Sequence, residues 1–178
     1  MNISIQRINT TSEDYNNVEQ LMRLAFAPDE RRDEYEQRSL TDGCSFFSVN
    51  SIHCDGKWAG FLSSWNFGRF LYIEHFAIQE DLRCMGVGSE VLDRVCASAG
   101  LPIFLEVDQE GVSSDASRRV SFYRLAGFNL WKLDYIQPAY GIGKKPVPMQ
   151  IMSRGIPESP ENLAILQGLL RSHVYTSI

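Results

Sequence analysis

The chain has 178 residues, 44% of them hydrophobic, with a formal net charge of −5 and a pI near 5.2. That is enough apolar content for one ordinary core and too much for a disordered chain. The acidic balance gives no global attraction for nucleic acid or anionic membrane, and no apolar run reaches the roughly 18 residues of a membrane span. The first residues, Met1 to Arg7, lack the apolar core of a signal peptide. Cys44, Cys54, Cys84 and Cys96 show no CxxC pairing. That spacing predicts reduced thiols in a cytoplasmic protein, and no metal site.

Taken in order, Ile3 to Ile8 alternates apolar and polar residues and reads as a first strand. Thr11 and Ser12 are the expected N-caps of a helix whose apolar face is Tyr15, Val18, Leu21, Met22 and Ala25. That helix ends before Pro28. The charged run Asp29-Glu30-Arg31-Arg32-Asp33-Glu34 leads into a second, short helix ending near Thr41. Ser45–Cys54 and Lys57–Trp65 read as strands joined at Asp55-Gly56, a strong hairpin signal. Phe70–Ile78 is the next strand. In it, strict alternation would put Tyr72, Glu74, Phe76 and Ile78 on one face and Ile73, His75 and Ala77 on the other.

Val87, Val91, Leu92, Val95, Cys96 and Ala99 then mark a helix that stops at Gly100, with Pro102 barring its continuation. Ile103-Phe104-Leu105-Glu106-Val107 is a buried-looking strand, so this stretch forms a strand–helix–strand unit and a parallel pair. A helix capped by Ser114 or Asp115 runs to Ala126. Phe128–Leu133 and Pro148–Ser153 read as late strands, separated by a Gly- and Pro-rich loop from Tyr135 to Pro146. Ser159-Pro160-Glu161 opens a last helix, to about residue 172, with Leu163, Leu166, Leu169 and Leu170 on its apolar face. That face suits a cap on the core or a homodimer contact. The whole predicts a single mixed α/β domain with a sheet of about six to seven strands. Its first part is antiparallel, and a parallel pair lies in the middle.

Two motifs carry the chemistry. In Arg83-Cys84-Met85-Gly86-Val87-Gly88, two glycines stand at the start of a helix, just after a strand. Free N–H groups and the helix dipole make such a start an anion site, most often for phosphate. A tight turn is the bland alternative. A dinucleotide-binding reading, with Glu106 on the ribose, fails on Val91 at the third glycine position and on the seven residues Gln79–Met85 before the first glycine. The second motif is Arg118-Arg119-Val120-Ser121-Phe122-Tyr123-Arg124-Leu125-Ala126-Gly127-Phe128. Glu74 is the lone carboxylate in an apolar strand, and burial is expected to raise its pKa towards that of a general base.

Together the two motifs resemble the GNAT superfamily of acyl-CoA-dependent N-acetyltransferases, over about residues 1–155. Arg83-x-x-Gly86-x-Gly88 fits the acyl-CoA signature without a gap, although Cys84 and Met85 stand where many relatives have basic or small residues. Phe122, Tyr123, Gly127 and Phe128 match the second family motif. Ala116 and Arg119 depart from it and remove one usual contact to the pantetheine arm.

The resemblance implies that amides from Arg83 through Val87 to Ser89 hold the CoA pyrophosphate, with Arg119 and Phe122 also near the cofactor. It implies a bulged fourth strand splayed from the fifth, where main chain of Phe76, Ala77 and Ile78 meets the pantetheine. It assigns Tyr123 to protonation of the leaving thiolate, and Glu74, one step from the family's position, to the base. Arg31, Arg32 and Tyr35 on one side, and Tyr135 on the other, would border a small-molecule amine acceptor. The expected reaction is acetyl transfer from acetyl-CoA in a ternary complex, without metal. A non-catalytic acyl-CoA-binding module on the same fold is the alternative.

Overall fold

The computed structural model describes residues 1–176. The strands are β1 (Ile3–Ile8), β2 (Phe47–Cys54), β3 (Lys57–Asn66), β4 (Leu71–Ile78), β5 (Ile103–Asp108), β6 (Asn129–Leu130), β7 (Tyr135–Gln137) and β8 (Val147–Arg154). The helices are α1 (Tyr15–Ala25), α2 (Glu34–Gly43), α3 (Val87–Ala99), α4 (Ser114–Leu125) and α5 (Pro160–Leu169), the last continued by a π-turn over Leu170–Val174. All eight strands form one sheet in the order β1-β2-β3-β4-β5-β8-β6, with β7 also paired to β8. Only β4 and β5 are parallel. No helix among the described residues is long and apolar enough to cross a membrane.

Each face of the sheet buries its own cluster. Val18, Leu21 and Met22 of α1 pack on one face with Phe47, Trp65, Tyr72 and Phe104. Leu166, Leu170 and Val174 join them, so the leucine face of α5 caps this core. Val87, Val91 and Leu92 of α3 and Val120 and Tyr123 of α4 cover the other face, against Ile73, Ile103 and Leu105. The Asp55-Gly56 hairpin forms as expected, with both residues at positive φ (50° and 81°).

Several boundaries differ from expectation for local reasons. Asp14, not Thr11 or Ser12, stands at the N-cap of α1, without a side-chain cap. The Asn9 side chain accepts from Thr11 and Ser12 instead and shapes the preceding turn. Ser113 caps α4 one residue early, accepting from Ala116 N–H. The expected strand at Phe128–Leu133 shortens to two residues, because the Glu158 carboxylate takes the N–H groups of Lys132 and Leu133. The expected long loop contributes β7, so the sheet has eight strands.

Candidate active site

The glycine loop leaves the start of α3 open. Gly86 stands at the N-cap of α3 with φ +83°, and a Cβ there would meet nothing within 4 Å. The first-turn amides of α3 have no intrahelical acceptors and stay available. At Gly88 a Cβ would stand 3.5 Å from the Phe122 ring, an ordinary contact, so packing alone does not demand glycine there. Cys84 adopts φ +61° and is exposed, as is Met85. The Arg83 side chain turns back and donates to the Ile78 carbonyl at 3.0 Å.

The cleft beside this loop comes from one irregularity in β4. Ser63 pairs with His75 and Ser64 with Ile73, so Glu74 is an extra residue opposite no partner. Such a bulge bends the strand. Pairing of β4 with β5 stops after Ile73↔Leu105, and the strands then part. The bulge also overturns the expected alternation. Tyr72, Glu74, His75 and Ala77 share the α1 face, and Ile73, Phe76 and Ile78 the α3 face.

Main-chain direction follows. His75 N–H donates to Ser63 Oγ and Gln79 N–H to the Ala59 carbonyl, both on β3. By the two-residue period, Ala77 also faces β3, and Phe76 and Ile78 face the gap. Of the three residues expected to meet the pantetheine, Phe76 and Ile78 therefore turn their main chain to the gap, and Ala77 turns its own to β3.

On the α1 face the gap is lined by buried polar groups. Glu74 has no exposed side-chain surface and pairs with Arg32 at 2.6 Å. It also accepts from Trp65 Nε1 (3.1 Å) and the Tyr140 hydroxyl (3.0 Å). Burial alone would raise its pKa, but the charges of Arg32 and His75 and the hydrogen bonds from Arg32 and Trp65 outweigh it and hold the carboxyl below its usual value. The expected upward shift is thus reversed.

Arg32 is almost fully buried, donates to the Val174 carbonyl at 2.7 Å and lies over the rings of Tyr140 and Trp65. His75, its pKa lowered chiefly by burial, bonds the Glu30 carbonyl and so ties β4 to the Pro28–Glu30 turn. The β7–β8 loop holds the same turn through Lys144 and Lys145.

A second carboxylate stands one step beyond the last β4–β5 pair. Glu106 accepts from the hydroxyls of Tyr72 (2.7 Å), Tyr135 and Tyr175. Burial pushes its pKa up; the three phenols oppose the shift and the Glu74 charge adds to it. No cation partners it directly.

Tyr123 lies on the α3 face, 7% exposed, and burial pushes its hydroxyl up to about 12 against the charge of Arg119. Phe122 packs between Phe76 and the start of α3. Arg119 is held by Asp108 at 2.9 Å, and Arg118 pairs with Asp115 in solvent.

The structure therefore brings Glu74, Arg32 and Tyr135 into one cluster. It leaves Tyr35 81% exposed, and Arg31 turned to the Phe26 carbonyl. Arg32 and Tyr135 are both buried. Sequence reasoning missed Tyr72 and Tyr175 on Glu106, and Tyr140 on Glu74. Glu106 had the same signal as Glu74: a carboxylate alone in an apolar strand.

A model of the acetyltransferase (GNAT) family matches residues 12–128. A Bacteroides thetaiotaomicron protein assigned to the GNAT acetyltransferases is 35% identical over 97% of this chain and 98% of its own, with a TM-score of 0.90. Arabidopsis thaliana Naa50, solved with a CoA-containing bisubstrate analogue, is 15% identical over 88% of this chain and 100% of its own (TM-score 0.63). A Bacillus subtilis acetyltransferase solved with CoA is 13% identical over the same shares (TM-score 0.57). At such identities the last two show the fold alone. None of the curated proteins compared matches the chain in sequence. The family match and the Bacteroides relative agree with the split sheet and the glycine loop: the chain belongs to the GNAT acetyltransferase family.

Proposed function

We propose that the protein moves an acetyl group from acetyl-CoA to the primary amine of a small cationic molecule, directly within a ternary complex. The observation that carries this reading is the gap between β4 and β5. An unpaired strand edge and an anion-binding helix start lie on one side of it, and a buried carboxylate cluster on the other. The amides from Val87 to Ser89 would hold the pyrophosphate, with Arg83 to Gly86 shaping the loop, and main chain of Phe76 and Ile78 would hold the pantetheine. No thiol takes part in the carboxylate cluster, which favours direct transfer over an acylated cysteine.

When bound, acetyl-CoA supplies an acetyl thioester, whose carbonyl carbon bonds to the amine nitrogen as the carbon–sulfur bond breaks. The Phe76 N–H faces the gap and donates where charge develops on the carbonyl oxygen. Glu106, its pKa raised, takes a proton from the acceptor's ammonium. Glu74, held ionised by Arg32, supplies fixed negative charge near that ammonium. Tyr123 is fully protonated at neutral pH and donates to the departing sulfur. The nitrogen's second proton replaces the one Tyr123 gives up. The proton on Glu106 leaves to solvent, so one proton is released per turnover. Most of the acceleration comes from holding the two reactants together.

Small size follows from the approach on the acceptor side. It is a narrow cavity lined by Arg32, Glu36, Leu40, Tyr140, His173 and Val174. Four free cysteines suit a reducing compartment, and the cytoplasm is the expected site of action.

The test is thiol release from acetyl-CoA with a panel of small amines, beside thermal unfolding with acetyl-CoA and with NAD. At about 100 times its dissociation constant a ligand adds roughly 2.7 kcal/mol. Turnover with any amine supports the reading. Stabilisation by acetyl-CoA without turnover favours the acyl-CoA-binding module, and no stabilisation overturns both.

A further inference from the structure

Glu106 is buried more expensively than packing requires. A carboxylate out of water costs several kcal/mol unless a cation offsets it, and Arg32, the guanidinium buried in this cluster, is already bound to Glu74. Three phenols hold it instead, each from a different element: Tyr72 from β4, Tyr135 from β7 and Tyr175 from the C-terminal segment. Tyr175 owes its place to a local departure from helix geometry. Its N–H bonds back to the Leu170 carbonyl, five residues earlier, closing the π-turn that follows α5. Such turns are rare, and they are frequent at functional sites. Two further contacts fix the segment: the Arg32 bond to the Val174 carbonyl, and the Tyr140 ring against Tyr175 at 4.8 Å. The same segment supplies His173 and Val174 to the wall of the acceptor-side cavity.

We propose that Tyr175 is a positioning residue for Glu106, and that the C-terminal segment Leu170–Tyr175 is a working wall of the acceptor site. This rests on the reading of Glu106 as proton acceptor given above. The segment does two things at once. Its hydroxyl aims the carboxylate at the point where β4 and β5 part, and its backbone narrows the approach to an opening fit for a small amine.

The groups facing Glu106 are known from every side. Tyr72 and Glu74 come from β4, Tyr135 from β7 and Tyr140 from the β7–β8 loop. Tyr175 comes from the C-terminal segment; Arg32 acts through Glu74 and Arg171 through Tyr135. Tyr175→Phe changes one of them and keeps the ring.

A phenol donating to a carboxylate favours its ionised form, so its loss makes Glu106 harder to ionise. In Tyr175→Phe the acid limb of the kcat/KM profile should move up by about one pH unit, the size of one hydrogen bond to a charged group. A merely structural residue would lower the rate equally at every pH.

The independent readout is a carbon-13 carboxyl titration of glutamate-labelled protein, with Glu106 assigned by Glu106→Gln. Its midpoint should move up with the limb. Tyr175→Leu gives the same titration should the first variant fail to fold. An unmoved midpoint overturns the proposal. A moved midpoint in a protein that acetylates no amine keeps the cage and overturns only the transferase reading.

Discussion

Replacing Arg32 by Met tests the electrostatics of the acceptor side most directly. Glu74 has no exposed side-chain surface and Arg32 only 7%, so the pair is dry. Removing the cation leaves an uncompensated buried carboxylate, a loss of about 3–5 kcal/mol for such a pair. For a chain of this length that lowers the midpoint of thermal unfolding by roughly 10 °C at neutral pH.

The pH dependence should change sign as well. In the wild type, Glu74 is held below its unfolded pKa. Its contribution is full above the ordinary carboxylate range and is lost as pH falls through the folded value. In Arg32→Met, burial dominates and the folded value rises above the unfolded one. The variant then loses stability as pH rises through that window, and its deficit narrows towards about pH 5. The double variant Arg32→Met/Glu74→Gln should recover most of the charge penalty. It would still lack the bond to the Val174 carbonyl and the stacking on Tyr140, worth roughly 1–2 kcal/mol. Thermal unfolding of the wild type and the two variants at about pH 5 and pH 8 measures all of this. A loss in Arg32→Met below about 1 kcal/mol, with the same pH slope as wild type, would refute the reasoning.

Gly60→Ala should cost about 3 kcal/mol or more, because its Cβ would lie 2.2 Å from the Ala77 carbonyl oxygen; an ordinary urea midpoint would show the estimate wrong. Gly86→Ala forces an alanine to φ +83° and should weaken CoA binding, read by calorimetry. Gly88→Ala meets Phe122 only at ordinary contact distance and should bind CoA nearly as well. Equal losses in the two would mean the loop is read incorrectly. Tyr123→Phe should slow turnover on the order of ten- to a hundredfold with CoA affinity nearly intact, and an unchanged kcat would remove the hydroxyl from the chemistry.

The glycine loop and the helix of the second motif were legible in the sequence because their signals are local. Gly86 and Gly88 sit two residues apart at a helix start, and Phe122, Tyr123, Gly127 and Phe128 lie within one helix and its cap. The acceptor side was not. Tyr72, Glu106, Tyr135, Tyr140 and Tyr175 span more than half the chain, and nothing in their spacing announces that they meet. The bulge hid a second fact. Alternation assumes an unbroken strand, so it placed Phe76 and Ile78 with Glu74 when they lie on the other face. The direction of the Glu74 shift was misjudged for a related reason: burial was visible in the apolar neighbours, but Arg32, forty-two residues away, was not matched to it.

The extra residue in β4 has a meaning in the arithmetic of codons. Removing the triplet for Glu74 would leave Tyr72, Ile73, His75, Phe76, Ala77 and Ile78 each on its present face, and would restore a regular ladder with β3. Arg32, Trp65 and Tyr140 would lose their acceptor, but the apolar contacts of the core would not change. The split in the sheet, and every chemical group gathered at it, is one insertion away from an ordinary and inert sandwich.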